Sequence, residues 1–317
     1  MRRREPRRST QIQRPEMKLA YHRLDVFAER VFAGNPLAVV EAAERLSAAQ
    51  MQALAREFNL SETVFLLPPR DPIHTARLRI FTPATELPFA GHPTIGAACL
   101  IASLRAPDML GGAPLRLVLE EEVGPVVCEV TRRNGILRAQ LAAPRLPVLA
   151  GSPGEDAAIA QALGLAPRDI GFDAHRPVIA SAGLPFAFIP VSGLDALRRA
   201  LPDYAAFADA FALERPAVCL YARETENPAN HVQARVFIPG LGAHEDAATG
   251  SAAAAFAAVA LHFERPDDGE HVLAIEQGQC MGRPSLIVLT MQVEKGALAQ
   301  VCVGGASVIV GQGSMTI

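Results

Sequence analysis

An excess of positive charge is missing from the sequence: 30 lysines and arginines stand against 33 aspartates and glutamates, for a formal net charge of −3. No overall field exists to attract nucleic acid or an anionic membrane surface, so neither is expected as a partner. Long hydrophobic runs are missing too. Apolar stretches such as the one around Ser251 to Leu261 fall well short of the roughly 20 residues needed to cross a bilayer. The five cysteines, Cys99, Cys128, Cys219, Cys280 and Cys302, are odd in number and scattered, with no CxxC spacing. That argues against a disulfide framework and a structural zinc site, and it predicts reduced core thiols in a cytoplasmic protein. Arg2, Arg3, Arg4, Arg7, Arg8 and Arg14 have no apolar h-region behind them, which speaks against a secretory signal. Residues 1–17 are expected to form a disordered Arg-rich tail, an extended start ahead of Met17 or a dispensable arm. A transit peptide is the alternative, weakened by Glu5 and Glu16.

What is present is an ordinary globular composition, 50% hydrophobic and 20% charged. The 317 residues leave room for two domains at roughly 150 residues each. Short runs rich in β-branched residues predict strands at Leu78–Phe81, Leu115–Leu119, Val126–Val130, Val232–Phe237, Leu286–Met291 and Val308–Val310. Helical patterns are fewer: Ser47–Phe58 behind a serine cap, Asp156–Leu163, and two strongly apolar segments beginning near His92 and Ser251. Sheet is therefore expected to exceed helix.

A long internal repeat underlies this pattern. Arg79-Ile80-Phe81-Thr82-Pro83 leads to Gly91-His92 and an apolar helix, and Arg235-Val236-Phe237-Ile238-Pro239 leads to Gly250-Ser251 and another. A second echo sets Gly34-Asn35-Pro36-Leu37-Ala38-Val39-Val40 against Gly183-Leu184-Pro185-Phe186-Ala187-Phe188-Ile189. The offsets lie near half the chain length and differ by about ten residues, as a duplication with one modest insertion leaves them. Ile95–Leu104 and Ala252–Leu261 are apolar almost all round, so each helix must be enclosed, and a curved sheet wrapped around it does that.

A helix start presents free N–H groups and partial positive charge to whatever lies before it. Two such starts facing each other would clamp a small carboxylate-bearing molecule and polarise the adjoining bond. Gly91 and Gly250 allow close backbone approach, while His92, Thr94, Thr249 and Ser251 supply polar side chains at the same turns. For Thr249 and Ser251 the competing explanation is simple helix capping. Proton transfer needs a titrating group, and Glu62 sits between a helix and an apolar strand beside Leu60, Val64 and Phe65, where desolvation would raise its pKa. Read from the residues alone, a solvated loop glutamate or a helix cap is the favoured explanation over catalysis. Asp246, or its neighbour Glu245, could orient an amine or hydroxyl; His92 is a proton relay, a donor or a structural histidine; Glu86 is a weaker candidate.

With these residues in view the chain resembles the phenazine-biosynthesis PhzF-like isomerase family, within the diaminopimelate epimerase-like superfamily. The resemblance runs from Met17 onward through Phe32-Ala33-Gly34-Asn35-Pro36-Leu37, Asn59-Leu60-Ser61-Glu62-Thr63, Glu86-Leu87-Pro88-Phe89-Ala90-Gly91-His92-Pro93-Thr94, Glu245-Asp246-Ala247-Ala248-Thr249-Gly250-Ser251 and Gln277-Gly278 with Gly282-Arg283-Pro284-Ser285. It implies an α+β fold of two pseudo-symmetric domains, each a curved, mostly antiparallel sheet or barrel wrapped round a central helix. The implied division is residues 18–143 plus 305–317 for the first domain and 144–304 for the second. It further implies a homodimer that isomerises trans-2,3-dihydro-3-hydroxyanthranilate without metal or organic cofactor. In that frame Glu62 is the acid and base, with His92, Asp246 and Ser251 positioning the substrate. Ala247 stands where the family commonly has Pro, which leaves the chemistry intact but puts substrate fit in question. Epimerases of the superfamily place a thiol at each helix start; here those places hold His92 and Ser251, and Cys99 lies inside the first helix. A non-catalytic metabolite-binding or interaction protein on the same fold is the reading from a different class.

Overall fold

The computed structural model describes residues 17–214, 216–239 and 245–317. The Arg-rich tail before Met17 and His244 lie outside the described residues. Eight strands make up the first part of the chain: β1 Lys18–Val26, β2 Asn35–Val40, β3 Glu62–Leu67, β4 Ala76–Phe81, β5 Glu86–Leu87, β6 Leu115–Glu121, β7 Gly124–Arg133 and β8 Ile136–Ala142. Nine follow: β9 Val148–Gly151, β10 Val178–Ser181, β11 Pro185–Pro190, β12 Val218–Ala222, β13 Val232–Phe237, β14 Glu245–Asp246, β15 Gly269–Gln277, β16 Ser285–Glu294 and β17 Ala297–Thr316. The six strand runs predicted from β-branched residues all fall inside these elements, and Val232–Phe237 is matched to the residue.

The repeat is reproduced pairing by pairing. β2 runs parallel to β3, and β11 to β12; β4 runs parallel to β6, and β13 to β15; the remaining neighbours are antiparallel in both halves. In the first half the order β1, β2, β3, β4, β6, β7, β8 closes through β17 back to β1, a ring of eight strands. The second ring follows the order β9, β10, β11, β12, β13, β15, β16, β17, with no ladder between β9 and β17 among the described residues; the Ala143 N–H, just after β8, bonds Val301 O at 2.8 Å and extends the β8–β17 ladder towards β9. β17 therefore belongs to both rings: residues 297–304 pair with β16, and residues 307–316 pair with β1.

Each ring encloses one helix, the second helix of the chain, α2 (Gly91–Arg105), in the first and α6 (Gly250–Glu264) in the second. Every residue of α2 from His92 to Ala102 is buried, as is every residue of α6 from Ala252 to Ala260. The abundance of alanine and glycine is what lets a helix fit inside a ring this narrow. A Cβ added at Gly96 would lie 2.5 Å from Leu37 Cδ2 and 2.7 Å from Val26 Cγ2. Outside the first ring lies α1 (Ala48–Phe58), started by a capping box between Ser47 and Gln50 and ended by Asn59 in the left-handed conformation. Three short helices, α3 (Asp156–Ala162), α4 (Leu194–Arg199) and α5 (Phe207–Phe211), cover the outside of the second ring.

The core-thiol expectation needs correction. Cys99, Cys128 and Cys219 are buried, but Cys280 is exposed and Cys302 is only partly covered, because β17 and the turn after β15 present them outward. All five are free thiols.

The halves are strapped together by Arg283. Its Nη2 donates to Asp25 Oδ1 at 2.6 Å and to Ala33 O at 2.7 Å, and its Nε donates to Gly34 O at 2.9 Å. The loop it holds carries Phe27 and Phe32 at φ 62° and 63°, conformations that cost a non-glycine residue free energy unless neighbours enforce them. Asp25 is buried, so removing the guanidinium strands a carboxylate away from water. Arg283→Met is expected to lower unfolding free energy by about 3 kcal/mol, read from the urea midpoint at constant slope; a change below about 1 kcal/mol would show the strap to be dispensable.

Candidate active site

The two enclosed helices start against each other. A Cβ built on Gly91 would sit 3.5 Å from Gly250 Cα and 4.0 Å from Ser251 N, so the opening turns of α2 and α6 abut across the boundary between the rings. Neither start is capped by a side chain: Ala90 has none to offer, and the Thr249 side chain makes no capping bond. The first-turn N–H groups of both helices therefore keep their positive end exposed to the junction. Thr249 instead turns its hydroxyl to Asp246 Oδ2 at 2.7 Å, which excludes capping as its role.

Glu62 begins β3, immediately after α1 ends, and its side chain is 17% exposed. Its Oε2 lies 3.3 Å from His92 Nε2. The angle does not suit a hydrogen bond, and both atoms are buried with no hydrogen-bond partner among the described residues. Burial pushes the Glu62 carboxyl up to about 8, and the neighbouring charge of Asp246 adds to the rise. Burial also pushes His92 down to about 3, so its ring is neutral at physiological pH. Those two directions exclude a stable imidazolium–carboxylate pair here despite the short separation.

Asp246 is held by both halves. Asn35, at the start of β2, donates from Nδ2 to Asp246 Oδ1 at 2.7 Å and to Ala248 O at 3.0 Å. From the other side Gln277, at the end of β15, accepts the Thr249 N–H at 3.1 Å and donates to Asp246 O at 2.8 Å and Thr249 Oγ1 at 3.0 Å. Burial raises the Asp246 pKa, and the bonds from Thr249 and Asn35 pull against that rise. Glu62 and Asp246 thus form a pair of carboxyl groups with displaced affinities, the pattern in which one proton is shared near neutral pH.

Of the residues singled out from the sequence, Glu62, Gly91, His92, Asp246, Thr249, Gly250 and Ser251 all border this junction. Thr94 behaves differently: its hydroxyl is fully buried and points to Ala90 O at 2.7 Å and Glu121 Oε1 at 2.6 Å. Glu86 and Glu245 are each spent on an arginine, Arg79 and Arg235 in matching positions of the two halves. Asn35, Gln277 and Glu121 were not picked out as functional from the sequence. The first two sit inside quoted strings, and only their partners in space reveal their use. A surface cavity of about 460 Å³ bordered by Glu129, Gln140 and Glu270 lies away from this junction. Among the described residues no group of three or more His, Cys, Asp and Glu side chains could hold a metal ion, and no helix is long and apolar enough to cross a membrane.

Curved sheets wrapped round two central helices whose starts abut beside two buried carboxyl groups define an α+β fold of two similar halves. A family model described as "Phenazine biosynthesis-like protein" matches residues 24–313. "Uncharacterized isomerase mll1393" from Mesorhizobium japonicum is 47% identical over 299 residues, covering 92% of this chain and 97% of that protein. "Trans-2,3-dihydro-3-hydroxyanthranilate isomerase" from Pseudomonas fluorescens is 35% identical over 297 residues, covering 93% and 98%. The crystal structure of a Bacillus anthracis phenazine biosynthesis protein of the PhzF family superposes with a TM-score of 0.85 at 25% identity, covering 95% of this chain and all of that one. The chain belongs to the PhzF family of phenazine biosynthesis-like proteins, and it is an isomerase.

The raised Glu62 pKa fixes the sign of a stability effect. The folded protein keeps this proton from about 4.5 up to about 8 whereas the unfolded chain has lost it, so the contribution of Glu62 is full at low pH and drains away as pH rises through that window. Glu62→Gln has no such proton to lose. The variant is expected to gain on the wild type by on the order of 1–3 kcal/mol between pH about 5 and about 9, measured by urea unfolding at each pH; a pH-independent difference would place the carboxyl in solvent.

Proposed function

We propose that the enzyme moves a proton within a small, conjugated, carboxylate-bearing substrate of the trans-2,3-dihydro-3-hydroxyanthranilate kind, with Glu62 as both base and acid. The observation that carries this reading is the pair of buried, unpartnered atoms Glu62 Oε2 and His92 Nε2 beside the abutting starts of α2 and α6. A buried polar atom with no partner in the protein is costly unless the substrate completes it.

In this reading the substrate lies in a cleft between the two rings, and its carboxylate takes up the first-turn N–H groups around Gly91 and Gly250. Ionised Glu62 removes a proton from carbon, and the electron pair of the broken C–H bond enters the conjugated system, stabilised by the helix starts as charge develops. Protonated Glu62, whose proton exchanges with solvent during the lifetime of the intermediate, then delivers a proton to a second atom of the same system, which regenerates the carboxylate. Asp246 and Ser251 orient an amine or hydroxyl, and neutral His92 donates or accepts a hydrogen bond. Gly91, Thr94, Thr249 and Gly250 shape the anion-holding turns.

A one-base shift is favoured over epimerisation by the internal symmetry. Thr63 opposes Phe81 as Val218 opposes Phe237, so the counterpart of Glu62 is Ala217, which has no acid or base to offer on the opposite face. The 35% identical relative named for this isomerisation supports the substrate class. The proposal includes the domain division given above, a cytoplasmic location and a homodimer of the chain.

The test is turnover of trans-2,3-dihydro-3-hydroxyanthranilate in deuterium oxide, with solvent deuterium expected in the product. Glu62→Gln should retain binding and lose kcat by roughly a hundredfold or more. If a panel of dihydroaromatic and amino acids gave neither binding nor exchange, the reading would be wrong. Because the base form of Glu62 is the minor one below about 8, kcat/KM is expected to climb with pH across the neutral range; a flat profile would exclude Glu62 as the base.

A further inference from the structure

The repeat assigns Glu121 a partner in the other half. Arg77 of β4 pairs with Glu120 of β6, and Gln233 of β13 pairs with Glu276 of β15, with Arg77 and Gln233 at matching places two residues ahead of Arg79 and Arg235. Glu120 and Glu276 correspond in use as well. Each accepts backbone N–H groups from the loop ahead of its strand pair, from Arg70 and Asp71 in the first half and from Glu226 and Asn227 in the second. One residue further on, Glu121 must match Gln277. The second half joins the end of β15 to the start of α6 with an amide, Gln277, bonded to the hydroxyl of Thr249. The first half joins the end of β6 to the start of α2 with a carboxyl, Glu121, bonded to the hydroxyl of Thr94.

Hydrogen counting at that second joint leaves one consistent arrangement. Thr94 Oγ1 is 2.7 Å from Ala90 O and 2.6 Å from Glu121 Oε1, and a hydroxyl has a single proton. Were Glu121 ionised, both neighbours of Thr94 would be pure acceptors competing for it. Glu121 is buried, forms no ion pair among the described residues, and leaves Oε2 buried and unpartnered. A carboxylate in that position would be an unpaired buried charge, whereas a carboxylic acid leaves only a carbonyl oxygen unfilled. The thiol of Cys128 on β7 interacts with it, and Cys99 of α2 lies next to that; burial raises both thiols, so neither brings charge to Glu121.

We propose that Glu121 is held as a neutral carboxylic acid, donating to Thr94 Oγ1 while Thr94 donates to Ala90 O, and that this two-bond chain locks the first turn of α2. Glu121 is a positioning residue: it acts through Thr94 on the turn that carries Gly91 and His92. Its consequence for turnover rests on the isomerase reading given above, while its protonation and its hold on the helix do not. Burial raises its pKa to about 8, in agreement with the hydrogen count.

The experiment compares Glu121→Gln, whose amide reproduces the Gln277 arrangement, with Glu121→Leu. At neutral pH the infrared spectrum of Glu62→Gln, which lacks the protonated Glu62 carboxyl, should show a protonated carboxyl stretch that is lost in the double variant Glu62→Gln with Glu121→Gln. Hydrogen exchange in the first turn of α2 should be unchanged in Glu121→Gln and roughly tenfold faster in Glu121→Leu. Turnover, where the substrate assay succeeds, should follow the same order, with Gln rescuing what Leu loses. A Glu62→Gln spectrum whose protonated-carboxyl region is unchanged by adding Glu121→Gln overturns the protonation. Equal exchange in the Gln and Leu variants overturns the locking chain, and both readings stand or fall without turnover being seen. Should Glu121→Leu be insoluble, Thr94→Val and Thr94→Ser probe the same chain from its other end, with Ser expected to restore protection.

Discussion

Two helix starts pressed against each other are an electrostatic problem that the rest of this molecule is built to hold. Partial positive ends repel, and neither α2 nor α6 relieves that repulsion with a capping side chain. What keeps them together is enclosure. Each helix is surrounded by its own ring of strands, and its buried face is composed of small residues that leave no way to slide out of register. Carboxyl groups then gather where the positive ends meet, one from each half. Glu62 comes from β3 and Asp246 from β14, and the desolvation that raises both pKa values is the same desolvation that strengthens the field of the helices.

The scaffold is symmetric and the chemistry is not. Arg79 with Glu86 and Arg235 with Glu245 are twin ion pairs, and Glu120 and Glu276 are twin loop anchors. At the junction itself the match ends. Glu62 faces a counterpart Ala217, and Asp246, paired to Val236, has Leu87 as its counterpart, paired to Ile80. Duplication supplied two equivalent walls, and in the proposed mechanism substitution at single positions lets one wall carry the acid and base while the other carries the orienting group.

Much of this was legible in the residues. A run of β-branched positions marks β13 to the residue, Ser47 marks the start of α1, and the all-apolar character of the two central helices requires an enclosing sheet. The glycine at each helix start pointed to a close backbone approach, and Gly91 and Gly250 do meet. What could not be read are bonds between residues far apart in the chain. Asn35 reaches Asp246 and Arg283 reaches Asp25 across most of the chain, and no local pattern announces either. Thr94 and Thr249 look alike as polar residues at helix starts, yet one hydroxyl turns inward to Glu121 and the other to Asp246; the choice depends on which strand end passes behind each helix.

The long strand β17 leaves one ring and enters the other, so the first ring has no closing strand of its own until residues 307–316 reach β1. A chain emerging in order from its N-terminal end must wait for almost its whole length before either sheet edge of that first ring finds its neighbour. The two halves, though derived from one repeated unit, are therefore obliged to mature as a single cooperative body, with slow assembly dominated by distant pairings. A gene encoding only the first half would yield a strand edge seeking a partner rather than a smaller working protein.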